Sequence, residues 1–384
     1  MTEQLKLKLN DSKATRWGAL VIVAFTMMAA YYVNDVVAPL KTMLETDLAW
    51  SSTDFGFFTG GYSFLNVFFL MLIWGGLILD RFGIRFTGKL ATILMVGGTA
   101  LEYYAMTGLA GADATLFGIN EIFGYKTGVF VAFAGYSIFG VGAEVAGITV
   151  SKIIAKWFKG KELATAMGVQ VALARIGSQA GYAVAIPLAR AFGISTPVLL
   201  GLVLLLGGMI AFFVFAVMDK KLDKQMEAAA IAAGTEDEEE KFSFKDVKNI
   251  LVNPGFWLIA LLCVLFYSCV FPFQKFASEL MIIKYGINEN VAGTFAGLPA
   301  LGALILTPVF GGFIDKRGKS ASIMLLGSAM LICVHFIYAI PDINYWLVAI
   351  VLMIILGIAF SLVPSAMWPA VAKIFPVSQL GTAY

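Results

Sequence analysis

Apolar residues run through this chain in long blocks, and short polar or charged stretches interrupt them. Ten blocks are long enough to cross a bilayer core of roughly 30 Å, which takes about 20 apolar residues as helix. They cover residues 17–40, 52–79, 87–109, 127–156, 163–189, 194–218, 255–280, 290–314, 320–340 and 344–373. Each is predicted to be an α-helix, because a backbone exposed to lipid must satisfy its own hydrogen bonds. One break stands out: residues 219–250 are polar, contain the acidic run Glu236 to Glu240, and end in Lys241–Leu251, whose spacing suits a short amphipathic helix lying on a surface. The predicted organisation is a cytoplasmic tail over 1–16, a six-helix bundle over 17–218, a cytoplasmic linker over 219–250, and an incomplete second bundle over 251–384.

A charged turn occurs once in each half. It reads Gly76-Leu-Ile-Leu-Asp80-Arg81-Phe-Gly83-Ile-Arg85 in the first and Gly311-Gly-Phe-Ile-Asp315-Lys316-Arg317-Gly318-Lys319 in the second. Glycine permits a tight reversal, and the aspartate can hold a helix N-terminus or a cation. Further along, Lys161-Glu-Leu-Ala-Thr-Ala-Met-Gly168 is echoed by Gln379-Leu-Gly-Thr-Ala-Tyr384. Parallel duplication of this kind is a way of building membrane carriers. By that match Gly381–Tyr384 open an eleventh helix, and a full second bundle needs two further spans, so the expectation is a fragment with ten of twelve membrane helices.

Composition agrees: 60% of residues are hydrophobic and 14% charged, and the mean hydropathy is +0.86, more apolar surface than a soluble fold of this length hides. The net charge of +2 says nothing for nucleic acid, and none is expected as partner. Lysine and arginine gather at the tail, at Arg81–Lys89, at Lys152–Lys161, in the linker and at Lys316–Lys319, which places tail and linker in the cytoplasm. Trp17, Trp50, Trp157, Trp257 and Trp346 sit near predicted helix ends as an interfacial belt; Trp74 and Trp368 could face the interior. No signal peptide is visible. Cys263, Cys269 and Cys333 lack metal-type spacing and read as packing residues. His335 reads as hydrogen-bonded within its bundle or as part of a proton relay. No cofactor or metal is expected, and no nucleophile–base pair suggests an enzyme.

Charges inside spans are costly and are retained with a partner or a wet cavity. Glu144 and Arg175 each lie 13 residues from the cytoplasmic end of their helix, counted from Trp157 and from Glu162. At 1.5 Å per residue both are about 20 Å deep, on consecutive antiparallel helices. They form either a structural ion pair or a pair that binds solute, and the second reading requires both to face an aqueous pocket where the bundles meet. Tyr31, Tyr32, Asn34 and Asp35 line a cavity or bond between helices. Glu102 is expected to be hydrated at the outer interface. Tyr267, Phe271, Pro272 and Gln274, and Pro364, Trp368 and Pro369, combine aromatics with helix kinks.

The charged turns resemble the loop between the second and third helices of the major facilitator superfamily. Ala174-Arg175-Ile-Gly-Ser178 and Gln379-Leu-Gly-Thr-Ala-Tyr384, with Gly61-Tyr-Ser-Phe-Leu-Asn66, Gly160-Lys-Glu-Leu163, Val270-Phe-Pro-Phe273, Pro308-Val-Phe-Gly311 and Met367-Trp-Pro-Ala370, are more selective. They resemble the major facilitator superfamily domain-containing protein 1 group, lysosomal dipeptide uniporters and their microbial relatives. That resemblance implies two pseudo-symmetric helical bundles, alternating access, and a dipeptide-like small solute carried without proton coupling. It implies that Glu144 and Arg175 bind the substrate's two ends, since a dipeptide carries an ammonium and a carboxylate. Asn34, Asp35, Tyr267, Gln274 and Trp368 would line the site, and Asp80, Arg81, Arg85, Asp315 and Lys316 would form a cytoplasmic gate. A carrier of another organic anion would use Arg175 but not need Glu144; a non-transporting receptor or assembly protein is the remaining alternative. The only N-x-S/T site is Asn10, on the cytoplasmic side, and Met1–Trp17 holds no acidic dileucine, which favours a microbial plasma membrane over a lysosome. The bilayer is the one macroscopic partner expected; nothing specifies an accessory subunit.

Overall fold

The computed structural model describes residues 8–111, 114–158, 161–233 and 244–375. Its helices fall into two compact units, residues 1–235 and 236–384.

The first unit contains α1 (Lys13–Val36), a 3₁₀ turn (Ala38–Leu40), α2 (Lys41–Asp47), α3 (Ser52–Phe68), α4 (Met71–Thr107), α5 (Thr127–Trp157), α6 (Leu163–Phe192) and α7 (Thr196–Ala233). A two-residue antiparallel ribbon, β1 (Glu121–Ile122) and β2 (Tyr125–Lys126), precedes α5. The second unit contains α8 (Phe244–Val252), α9 (Pro254–Ile283), α10 (Glu289–Ala296), α11 (Leu298–Arg317), α12 (Ser320–Ala339) and α13 (Trp346–Ile374).

All ten apolar blocks lie on helix, apart from ragged ends and short breaks. By length and composition, seven described helices could cross a membrane, and the α3–α4 pair, bent by 58°, makes an eighth. Two features account for the difference from ten. α4 carries the end of the second block and most of the third, divided at Gly83, whose φ of 76° and ψ of 172° are not helical; α6 carries Gln170, Arg175 and Gln179 in its middle, which lowers its hydropathy. Gly83 thus breaks the helix within the first charged turn. Gly318, at the same offset from its aspartate, has φ of 68° and ends α11, so both turns place a positive-φ glycine three residues after the aspartate. Only glycine adopts such angles without strain.

Helix contacts in the first unit are made by small residues. A Cβ built on Gly142 of α5 would lie 2.7 Å from the Ala91 carbonyl oxygen of α4, and one on Gly61 of α3 would lie 2.7 Å from the Phe133 carbonyl oxygen of α5. On α6, a Cβ at Gly181 would stand 2.9 Å from the Tyr32 carbonyl oxygen of α1. Close backbone approach is how membrane helices associate where hydrophobic burial gives no net drive. In the second unit α11 and α12 pack on α13, through Gly302 against Gly357 and Gly327 against Val363.

In the described part of the tail, Ser12 caps α1 through its side chain, and Asn10 and Arg16 are buried. Several expectations need correction. α7 continues past the predicted end at 218 as helix to Ala233. Glu102 is not hydrated at an interface but fully buried, beside the Gly98–Gly135 crossing of α4 and α5. Trp50 and Trp157 are buried against their own unit, and Trp74 is exposed on α4. Cys269 and Cys333 are exposed, so they do not pack the interior. His335 Nδ1 meets the Leu331 carbonyl at 2.9 Å and its ring stands edge-on to Phe273 at 4.9 Å. Pro272 lies inside α9 and Pro364 and Pro369 inside α13, neither of which they end; a bent break not expected from the sequence is at Phe69–Leu70, with Leu70 left-handed.

Candidate functional site in the first helical unit

Glu144 and Arg175 sit where the sequence puts them along their helices, with α5 ending at Trp157 and α6 starting just after Glu162. Each has its own aromatic partner. Tyr62 of α3 donates its hydroxyl hydrogen bond to Glu144 Oε1 at 2.8 Å. The Arg175 guanidinium lies over the Tyr31 ring of α1, 5.6 Å from its centroid, a cation–π arrangement. The Tyr62 ring packs on Tyr136, whose hydroxyl bonds Asn34 of α1, three residues after Tyr31, so the acid and the base belong to one network. Both are half-buried.

The packing explains the cluster. Gly140, one turn before Glu144, lies so close to α3 that a Cβ there would collide with the Tyr62 carbonyl, which brings Tyr62 over the acid. Gly177, two residues after Arg175, lies equally close to the Met28 carbonyl of α1, which brings Arg175 to Tyr31. Around them, the Tyr136 hydroxyl donates to the Asn34 carbonyl at 2.7 Å and approaches Asn34 Oδ1 at 3.1 Å. Asn34 Nδ2 donates to Asp35 Oδ1 at 2.9 Å. Tyr62 and Tyr136 rings are 5.7 Å apart, and Tyr136 stacks on Phe139 at 5.8 Å. The result is a tyrosine-lined cluster of one arginine and two half-buried carboxylates. Such a cluster can hold a ligand carrying both charges.

The remaining candidates divide between the units. In the first, Asp80 pairs with Lys152 of α5 at 2.8 Å, Arg85 with Asp223 of α7 at 2.9 Å, and Arg81 lies over Phe82 at 5.6 Å. The first charged turn is therefore tied to two other helices of its own unit. In the second unit, Tyr267 stacks on Phe271 at 5.1 Å, Gln274 is buried and Trp368 is exposed. Lys316 is exposed on the last turn of α11, and the Asp315 side chain lies outside the described residues.

Sequence reasoning missed Tyr62 and Tyr136, which look like ordinary aromatics of apolar helices, and Asp219, which looks like the first linker residue. Asp219 is fully buried and accepts from Lys156 Nζ at 2.7 Å and Trp157 Nε1 at 3.0 Å, with Arg85 at 3.8 Å. A single acid at the end of an apolar run, followed by Lys220-Lys221, was the available signal. A second ionic cluster fastens the tail. Glu162 pairs with Arg16 at 2.9 Å and Lys13 at 3.3 Å and accepts from Trp17 Nε1 at 3.2 Å. The Arg16 hydrogen bond, helped by Trp17 and Lys13, pulls the Glu162 carboxyl down to about 2. Asp11 is lowered chiefly by its bond to Lys161.

The lysosomal dipeptide transporter MFSD1 of Homo sapiens is 29% identical to this chain over 385 residues, 97% of the chain and 76% of that protein. MFSD1 of Danio rerio is 27% identical over 376 residues, 95% and 75%. Among solved structures, the inward-open xylose transporter XylE from E. coli is similar with a TM-score of 0.65 at 16% identity, covering 96% of this chain and 85% of that one. A peptide transporter in complex with sulfate is similar at 0.64 and 14%, covering 95% and 84%; at such identities the likeness is one of fold. The Major Facilitator Superfamily profile matches residues 20–384, and with the duplicated glycine turns and apolar helices described above, the chain belongs to that superfamily and is a multi-pass membrane transporter rather than an enzyme.

Proposed function

We propose that this protein carries dipeptides across a membrane by alternating access, as a uniporter. The observation that supports it most is the cluster of Glu144 on Tyr62 and Arg175 on Tyr31 in one unit. A dipeptide is a zwitterion, and its two termini are complementary to that acid and that base. Arg175 offers a planar fork for the carboxylate, and Glu144 accepts from the ammonium. Asn34 and Asp35 extend the polar wall. The names of the MFSD1 relatives support the same substrate class. Binding then shifts the balance between access states by the difference in affinity for them. Asp80, Arg81 and Arg85 act at the cytoplasmic end as a gate. We place the protein in a microbial plasma membrane with its tail cytoplasmic; the burial of Asn10 supports an unglycosylated tail.

The test is exchange of a labelled dipeptide by the purified protein in liposomes. Arg175→Ala and Glu144→Gln should each weaken dipeptide affinity about 10- to 100-fold, the value of a hydrogen bond to a charged group, roughly 1.5–3 kcal/mol. Unchanged dipeptide exchange in both variants would end the assignment. Loss in Arg175→Ala alone would point to an organic anion instead.

A further inference from the structure

The acid of the cluster is not left to find its own orientation. Glu144 stands on α5 only partly buried, and a carboxylate so placed can rotate about its terminal torsion. Its Oε1 is taken by the Tyr62 hydroxyl at 2.8 Å. Tyr62 is itself fixed from three directions. Its backbone is pressed against Gly140, its carbonyl accepts from Asn66 Nδ2 at 3.1 Å, and its ring packs against Tyr136 at 5.7 Å and Phe139 at 6.1 Å. A phenol has one proton to donate, so the bond commits one carboxylate oxygen and leaves Oε2 with its own lone pairs.

Resting on the dipeptide reading, we propose that Tyr62 is a positioning residue that sets the preference for a free amino terminus: it holds Glu144 by Oε1 so that Oε2 meets the substrate ammonium. The consequence concerns selectivity rather than binding in general. Without the hydroxyl, the carboxylate must be ordered by the ligand itself, which weakens capture of the ammonium. A ligand that lacks the ammonium has nothing to lose. Gly140 belongs to the same arrangement, because any side chain there displaces the Tyr62 backbone.

The experiment measures inhibition constants in exchange of a labelled dipeptide by the full chain in liposomes, with dialanine and N-acetyl-dialanine as competitors. Tyr62→Phe should raise the constant for dialanine about tenfold, equivalent to about 1.4 kcal/mol, and leave that for N-acetyl-dialanine within about twofold. Gly140→Ala, which keeps the hydroxyl but moves its carrier, should change the two constants in the same unequal way. If both constants rise together, Tyr62 is a packing residue and the proposal is wrong; if neither rises, it is also wrong. Glu144→Gln separates this from the underlying reading. If it leaves the dialanine constant unchanged, the dipeptide assignment fails; if it abolishes the preference while Tyr62→Phe does nothing, only the role of Tyr62 fails.

Discussion

Two glycines on one helix predict opposite outcomes of the same substitution. Gly142 and Gly147 both lie inside α5. A Cβ at Gly142 would stand 2.7 Å from the Ala91 carbonyl oxygen and 2.8 Å from the Met95 backbone nitrogen, whereas at Gly147 the nearest atom would be the Met27 methyl carbon at 3.8 Å. Ordinary contact begins at 3.4 Å, so Gly142→Ala forces α4 and α5 apart by about 0.7 Å, and no rotamer change can relieve a clash with backbone. Overpacking costs about 1–3 kcal/mol, and replacing a helical glycine returns about 0.8 kcal/mol. With the overpacking near the middle of that range, the net loss is about 1–2 kcal/mol, while Gly147→Ala gains about 0.8 kcal/mol. For a unit of this size each kcal/mol moves the melting temperature about 2–4 °C. Tryptophan-fluorescence melting in detergent should therefore put Gly142→Ala several degrees below the parent and Gly147→Ala slightly above it. Equal melting temperatures for the two variants would refute the claim that the α4–α5 approach is limited by backbone contact at Gly142.

Three further outcomes follow from the geometry. Asp219→Ala should lower stability by about 3 kcal/mol, the value of hydrogen bonds from a charged lysine and an indole to a buried acid, and Asp219→Asn by about half as much because its amide oxygen keeps the Trp157 bond; chemical denaturation reads both, and indistinguishable variants would argue against it. Glu162 titrates near 4.5 when unfolded and near 2 here, so its contribution is complete above about pH 4.5 and is lost as pH falls toward 2. Trp17 fluorescence should report release of the tail in that window, and a Glu162→Gln protein should show no such transition. Gly83→Ala should cost about 1–3 kcal/mol from its left-handed φ alone, since its Cβ would meet nothing within 4 Å, whereas Gly76→Ala, helical and equally open, should be neutral or better. Scanning fluorimetry distinguishes the pair, and similar losses in both would place the strain elsewhere.

The apolar blocks determined the helices by themselves, because in lipid a continuous apolar stretch has helix as its one way of satisfying its backbone. Gly83 and Gly318 were legible too, since a positive φ three residues after an aspartate is written in residue type. So was the position of Glu144 and Arg175 along their helices, 13 residues from Trp157 and from Glu162, which depends only on where α5 ends and α6 begins. What surrounds them was not legible. Tyr62 is 82 residues from Glu144 and Tyr31 is 144 residues from Arg175, and their pairing depends on helix rotation and crossing set by Gly140 and Gly177 against other backbones. Glu102 and Asp219 were misplaced for the same reason. Burial of a charge is decided by which neighbours reach it, and that is a property of packed helices, not of position along one.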